Sequence, residues 1–206
     1  MKRFAFTLLE LVFVIIVIGI LAVLAMPNFN SNPLQQAAEQ VAGHIRYTQH
    51  LAMVDDKFDP NDPTWWRERW QIRFRLLMGD YGYVIFSDRN QNRNSNQANP
   101  QEIAIDPQTG EFLNGFLNFS AGNLTQQYGI TNIVSSCLQD DNTLVATNLG
   151  ATVFDNVGRP YSGVSDAVSE AQYLLAADCT ITLTHPEGNA VIRIRPETGY
   201  VSITYP

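Results

Sequence analysis

The run from Phe6 to Met26, FTLLELVFVIIVIGILAVLAM, constrains everything else in this chain. It has 21 residues, interrupted only by Thr7 and Glu10, and from Leu11 to Met26 every residue is apolar or Gly. A helix of that length reaches ~30 Å, the thickness of a bilayer's hydrocarbon core. Lys2 and Arg3 precede the run. Basic residues stay on the cytoplasmic side, so the pattern predicts a single span with the C-terminus across the membrane. A cleaved secretory signal has a shorter apolar region, ~7–15 residues, followed by a small-residue cleavage site. Here the run is longer and leads to Met26-Pro27, with only Ala22 and Ala25 as poor candidates for such a site.

Glu10 is the informative residue in that run. A carboxylate at the centre of a bilayer costs ~2.5–3.5 kcal/mol on insertion scales, and less near a helix end. One reading is a tolerated interfacial carboxylate. The other is a specific cationic partner in an assembled state. The apolar run itself holds no basic residue. A new α-amino group at Phe6, made by cutting after Ala5, would supply one.

The stretch Ala5-Phe6-Thr7-Leu8-Leu9-Glu10, the apolar helix behind it and Pro27 resemble the N-terminal signal of type IV prepilins. Ala5 stands where that family usually has Gly. The resemblance implies cleavage between Ala5 and Phe6 by a prepilin peptidase on the cytoplasmic side, and N-methylation of Phe6 by the same enzyme. It implies that Glu10 pairs with the terminal amine of a neighbouring subunit and that Pro27 kinks the helix. A proline removes one backbone donor and clashes with the preceding turn, so the kink has a physical basis. The implied partners are other pilins or pseudopilins, met through the N-terminal helix, and an inner-membrane assembly platform. The implied location is a bacterial inner membrane, with the C-terminal domain in the periplasm and the subunit passing into a pilus or pseudopilus.

Downstream, Asn28 to Pro33 is polar and turn-like. Leu34, Ala37, Ala38, Val41, Ile45, Thr48 and Ala52 then recur every three to four residues, predicting an amphipathic helix. The expected organisation is a leader at 1–5, a transmembrane and assembly helix at 6–27, its amphipathic continuation at 28–54 and a β-rich globular domain at 55–206. Residues 55–64, with Pro60 and Pro63, read as a loop. From Trp70 the period becomes two, with Ile72, Phe74 and Leu76 alternating with Gln71, Arg73 and Arg75. Gly79-Asp80 is the expected turn into a second strand at Tyr81 to Phe86. The arginines at 67, 69, 73 and 75 read as the wet face of that sheet.

Residues 87–101 read as a polar loop, 102–154 as weak strands with long connections, and 155–173 as mostly loop. Cys179 to Thr184, Ala190 to Arg195 and Tyr200 to Tyr205 read as three strands, with turns at Glu187-Gly188-Asn189 and Glu197-Thr198-Gly199. Helix first and strands after predicts an α+β domain with antiparallel sheet packed on the helix. AEQVAGHIRYTQHLA, the Phe154, Gly158, Arg159 spacing and the terminal IRPETGYV resemble H-type minor pseudopilins and FimT-like minor pilins. That likeness implies a structural filament subunit acting in type II protein secretion. A true pilus serving adhesion, motility or DNA uptake is the first alternative, and a signal-anchored binding module or enzyme the second.

The chain carries 13 Lys and Arg against 20 Asp and Glu, a net charge of -7. An acidic balance gives no footprint for general nucleic-acid binding. The two cysteines, Cys137 and Cys179, fall in the domain placed outside the cytoplasm, where one disulfide is the expected state and two buried thiols the alternative. His44 and His50 are six apart, not the i, i+4 spacing of a helical metal pair, and His185 sits beside Pro186 at a turn. No nucleophile elbow, Walker loop or dinucleotide fingerprint is present, so neither catalysis nor a cofactor is expected. Asp88-Arg89-Asn90-Gln91-Asn92 begins like a calcium loop, but Arg93 replaces the Gly at position six and Asn99 the Glu at position twelve. With Glu102 and Asp106 downstream, it reads as a solvated turn rather than a metal site.

Overall fold

The computed structural model describes residues 8–25, 32–91, 101–116, 122–137, 148–163 and 167–206. The chain divides into two compact units, Met1–Ser31 and Asn32–Pro206. In the first, α1 spans Leu8–Ala25, 18 residues. Among the described residues no helix is long and apolar enough to cross a membrane. The 18 residues of α1 reach ~27 Å, against a bilayer core of ~30 Å. Phe6, Thr7 and Met26, which complete the expected span, lie outside the described residues, as do Ala5 and Pro27.

In the second unit, α2 spans Pro33–Val54. Residues 28–31 of the expected continuation lie outside the described residues, and α2 opens on a cap at Asn32, inside the stretch read as turn-like. Asn32 is extended (φ -87°, ψ 97°), its side chain accepts from the Gln35 N–H at 3.0 Å, and Pro33 occupies the first turn. An Asn cap followed by Pro satisfies the orphan donors that a fresh helix start exposes. Every apolar-stripe residue expected in α2 is buried, joined by Ala42. The three alanines at 37, 38 and 42 let the sheets approach the helix closely.

Two four-stranded antiparallel sheets pack on α2, confirming the α+β class. The first has the order β2-β1-β4-β5, from β1 (Trp70–Leu77), β2 (Asp80–Ser87), β4 (Asn148–Phe154) and β5 (Pro160–Tyr161). The second has the order β3-β6-β7-β8, from β3 (Asn132–Ser135), β6 (Cys179–His185), β7 (Gly188–Ile194) and β8 (Val201–Thr204). The region read as weak strands also contains a short helix, α3 (Leu124–Tyr128), capped by Asn123 and closed by left-handed Gly129. Single bridges from Ile103, Asn114 and Asn123 extend the first sheet beyond β2. The β1–β2 turn is Met78-Gly79 rather than Gly79-Asp80, because Leu77 pairs with Asp80.

The arginines predicted on a wet face are not all wet. Arg69 and Arg73 are buried, at 5% and 4% exposure. Arg69 stacks 4.9 Å from the Trp65 ring and 4.8 Å from the Tyr161 ring and donates to the Glu170 carbonyl. Arg73 lies 5.0 Å over Phe86 and donates to Gln71 Oε1. A second apolar cluster of Val153, Tyr161 and Ala167, with Trp66, Tyr173 and Leu174, occupies that side. A period of two reveals two faces of a strand but not whether other chain covers the second.

Candidate assembly helix and polar groove

Three places carry the chemistry of the chain. The first is α1. Its side chains from Leu8 to Leu21 are exposed all round, Leu8 at 82%, Phe13 at 68% and Ile18 at 59% among them. A helix apolar on every face is stable only where something other than water covers it. Glu10 sits in its first turn, where the helix dipole favours a carboxylate.

The second is the far end of α2, where two motifs singled out in the sequence meet. Gln49 Nε2 donates to the carbonyls of Gly158, at 2.9 Å, and Thr198, at 3.0 Å. Gly199 has φ +61°, and a Cβ on it would sit 2.5 Å from Gln49 Nε2 and 2.7 Å from the Gly158 oxygen. Only glycine fits such an approach in that conformation. Asp155, 1% exposed, ties the Phe154–Arg159 loop together by accepting from Val157 N, Arg159 N, Arg159 Nε and Tyr161 O–H. That carboxylate pushes the Arg159 guanidinium pKa up. Gln49 itself carried no signal in the sequence beyond lying on the polar side of α2.

The third is a groove of about 650 Å³ between α2, the 106–109 turn and α3. Its floor is an ordered chain of polar groups. Tyr128 O–H donates to Gln40 Oε1 at 2.5 Å, and Gln40 Nε2 donates to the Tyr83 hydroxyl oxygen at 2.9 Å. The Tyr83 hydroxyl lies 2.5 Å from His44 Nδ1. Which of the two donates depends on the tautomer of His44. Burial pushes the His44 pKa down, partly offset by the Asp106 carboxylate, and burial pushes the Tyr83 phenol far up. Glu39 and Asp106 line the groove, and among the described residues no Lys or Arg does.

Cys137 and Cys179 form a disulfide, with Cα atoms 5.3 Å apart. It joins the second residue past β3 to the first residue of β6. The segment read as a solvated turn is more enclosed than expected: Asp88, Glu102 and Asp106 are 2%, 0% and 4% exposed. Gln91 reaches back to Asp62 and Thr64, and Asp106 caps its own turn through Gln108 N and Thr109 Oγ1. Among the described residues no group of three or more His, Cys, Asp or Glu is placed to hold a metal ion. Arg93 and Asn99 lie outside the described residues.

Fold and site define an α+β protein in which a capped amphipathic helix carries two antiparallel sheets and an exposed apolar helix precedes it. No family model, curated protein or solved structure matches the chain.

Proposed function

We propose that the chain is a membrane-anchored structural subunit of a type IV pilin-like filament, of the minor pseudopilin kind, working in protein secretion. The observation that carries this reading is α1: apolar and exposed on every face, with one carboxylate in its first turn, ahead of a folded α+β unit. Such a helix exchanges lipid for the matching helices of neighbouring subunits at little cost in apolar exposure, since van der Waals packing replaces acyl chains. Leu8, Leu9, Leu11, Val12, Phe13 and Ile16 supply that packing. Glu10 fixes register by accepting the methylated amine of Phe6 on a neighbour once the leader has been cut after Ala5. A buried ion pair of this type specifies alignment more than it stabilises. The partners are other pilin-like subunits, the prepilin peptidase and methyltransferase, and an assembly platform in the inner membrane. The globular unit faces the periplasm, where its disulfide persists.

Mass spectrometry of the mature N-terminus tests the reading: methyl-Phe at residue 6 is the expected result, and an intact Met1 overturns it. Glu10→Ala is expected to insert in membranes yet fail to join filaments. Normal assembly of that variant removes the amine-pairing role. A signal-anchored binding module is the second reading, favoured by the polar groove at His44 and Tyr83.

A further inference from the structure

The β1–β2 hairpin breaks a local rule. Its two turn residues, Met78 and Gly79, have φ +54° and +92°. A two-residue turn with both φ positive favours Asn-Gly or Asp-Gly, because its first residue must enter the left-handed region. A bulky side chain there is an outlier, and such strain persists where something else requires it. Met78 gains nothing from the globular unit in return, since it is 100% exposed. Leu77 beside it is 38% exposed, and both edge an open recess of about 220 Å³ with Gly115 and Phe116. Asp80, Asn123 and Gln126 also line the recess, and the Asp80 carboxylate accepts from Asn123 Nδ2 at 3.0 Å and Gln126 Nε2 at 2.5 Å.

The position of this tip says what it meets. β1 runs antiparallel to α2: Trp70 at its start donates to Asp55 at the C-terminal end of α2. Farther along, Phe74 pairs with Tyr83, whose hydroxyl meets Gln40 and His44. Four more strand residues reach Met78, ~13 Å on, and the helix from Gln40 back to Pro33 covers ~11 Å. The tip is therefore level with the start of α2, the end at which the chain enters this unit. The β6–β7 turn lies at the same level, since a Cβ on Gly188 would sit 3.9 Å from Leu34 Cδ2.

We propose that the Leu77–Met78 tip is a lipid-contacting foot, which rests in the interfacial zone of the bilayer and steadies the globular unit before assembly. The inference rests on the reading of α1 as a membrane anchor. A domain already tethered to the bilayer needs only a weak contact, because the tether sets a high effective concentration. Methionine, unbranched and flexible, suits an irregular apolar surface of this kind. The cost of the left-handed Met is then the cost of presenting an apolar side chain where turn chemistry prefers Asn.

The test uses the full chain in vesicles containing brominated phosphatidylcholine. There is no free cysteine among the described residues, so Met78→Cys provides a thiol for a bimane probe. Val157→Cys is the control: Val157 is also apolar and exposed, at 63%, and lies beside the Asn156 that bonds Asp56 at the other end of α2. The expected result is quenching at residue 78 at least twofold greater than at 157. In a second arm, Met78→Asn is expected to raise the thermal midpoint by relieving the turn. The same change is expected to halve the quenching of a probe at Gln126→Cys beside the recess. Equal quenching at 78 and 157 in chains that float with the vesicles overturns the foot and leaves the anchor standing. Chains that do not float overturn both. Crosslinks between copies through residue 78 without quenching assign the tip to a second subunit and overturn the lipid contact.

Discussion

α1 and α2 follow one another in the chain, at 18 and 22 residues, and satisfy their apolar side chains in opposite ways. α2 buries one stripe, Leu34 through Ala52, between two sheets and turns Gln35, Glu39 and Arg46 outward. α1 has no polar stripe to turn outward, and among the described residues its side chains from Leu8 to Leu21 stay exposed. The difference teaches where each helix finds its stability. α2 is held by packing inside the same chain, whereas no described residue packs over the exposed side chains of α1. Damage to α2 is therefore read in folding, and damage to α1 in insertion and assembly.

The sharpest break in that comparison comes from the disulfide. Its 42-residue separation is worth ~4 kcal/mol by loop-closure entropy. Cys137→Ser combined with Cys179→Ser is expected to lower the urea stability of the full chain in detergent by about that amount while leaving membrane insertion unchanged. Next in size, Ile45→Ala removes a side chain with no exposure from the α2 stripe and is expected to cost ~3 kcal/mol. Ile16→Ala, the same chemistry at a position 54% exposed in α1, is expected to leave the unfolding midpoint of the globular unit where it was. Comparable losses from both would erase the distinction between the helices.

A smaller effect tests the boundary between them. If α2 starts at its own cap, Asn32→Ala costs ~1 kcal/mol, and circular dichroism during denaturation shows it. No loss would mean that helix runs through Asn32 and the cap is idle. The smallest effect is electrostatic. His44 is held neutral with its pKa below the ordinary 6.5, so the unfolded chain binds the extra proton first. Stability is complete above that value and declines as pH falls beneath it. The groups facing His44 are the Tyr83 hydroxyl and the Asp106 and Glu39 carboxylates. His44→Gln, which retains a hydrogen-bonding group for Tyr83, is expected to flatten the decline in a pH series of thermal midpoints.

Several features needed no coordinates. The α2 stripe, β1 and β2, and the three C-terminal strands were legible because a period of 3.6 or 2 is a local property of the chain. The cysteine pair was legible as a candidate. Its closure was not, because sequence carries no distance between β3 and β6. Gln49 was illegible for the same reason: its two acceptors, the Gly158 and Thr198 carbonyls, lie 109 and 149 residues away in the chain. The groove at His44 likewise joins residues from α2, the 106–109 turn and α3 that share no pattern.

By itself the sequence determined which faces of which segments must avoid water, and that α1 has no face that seeks it. Tertiary structure alone decided what covers the second face of β1, where Arg69 and Arg73 leave water for aromatic rings. It also decided that a methionine stands strained and bare at the β1–β2 turn. Side-chain periodicity reports the direction a residue points, whereas burial depends on what distant chain arrives there.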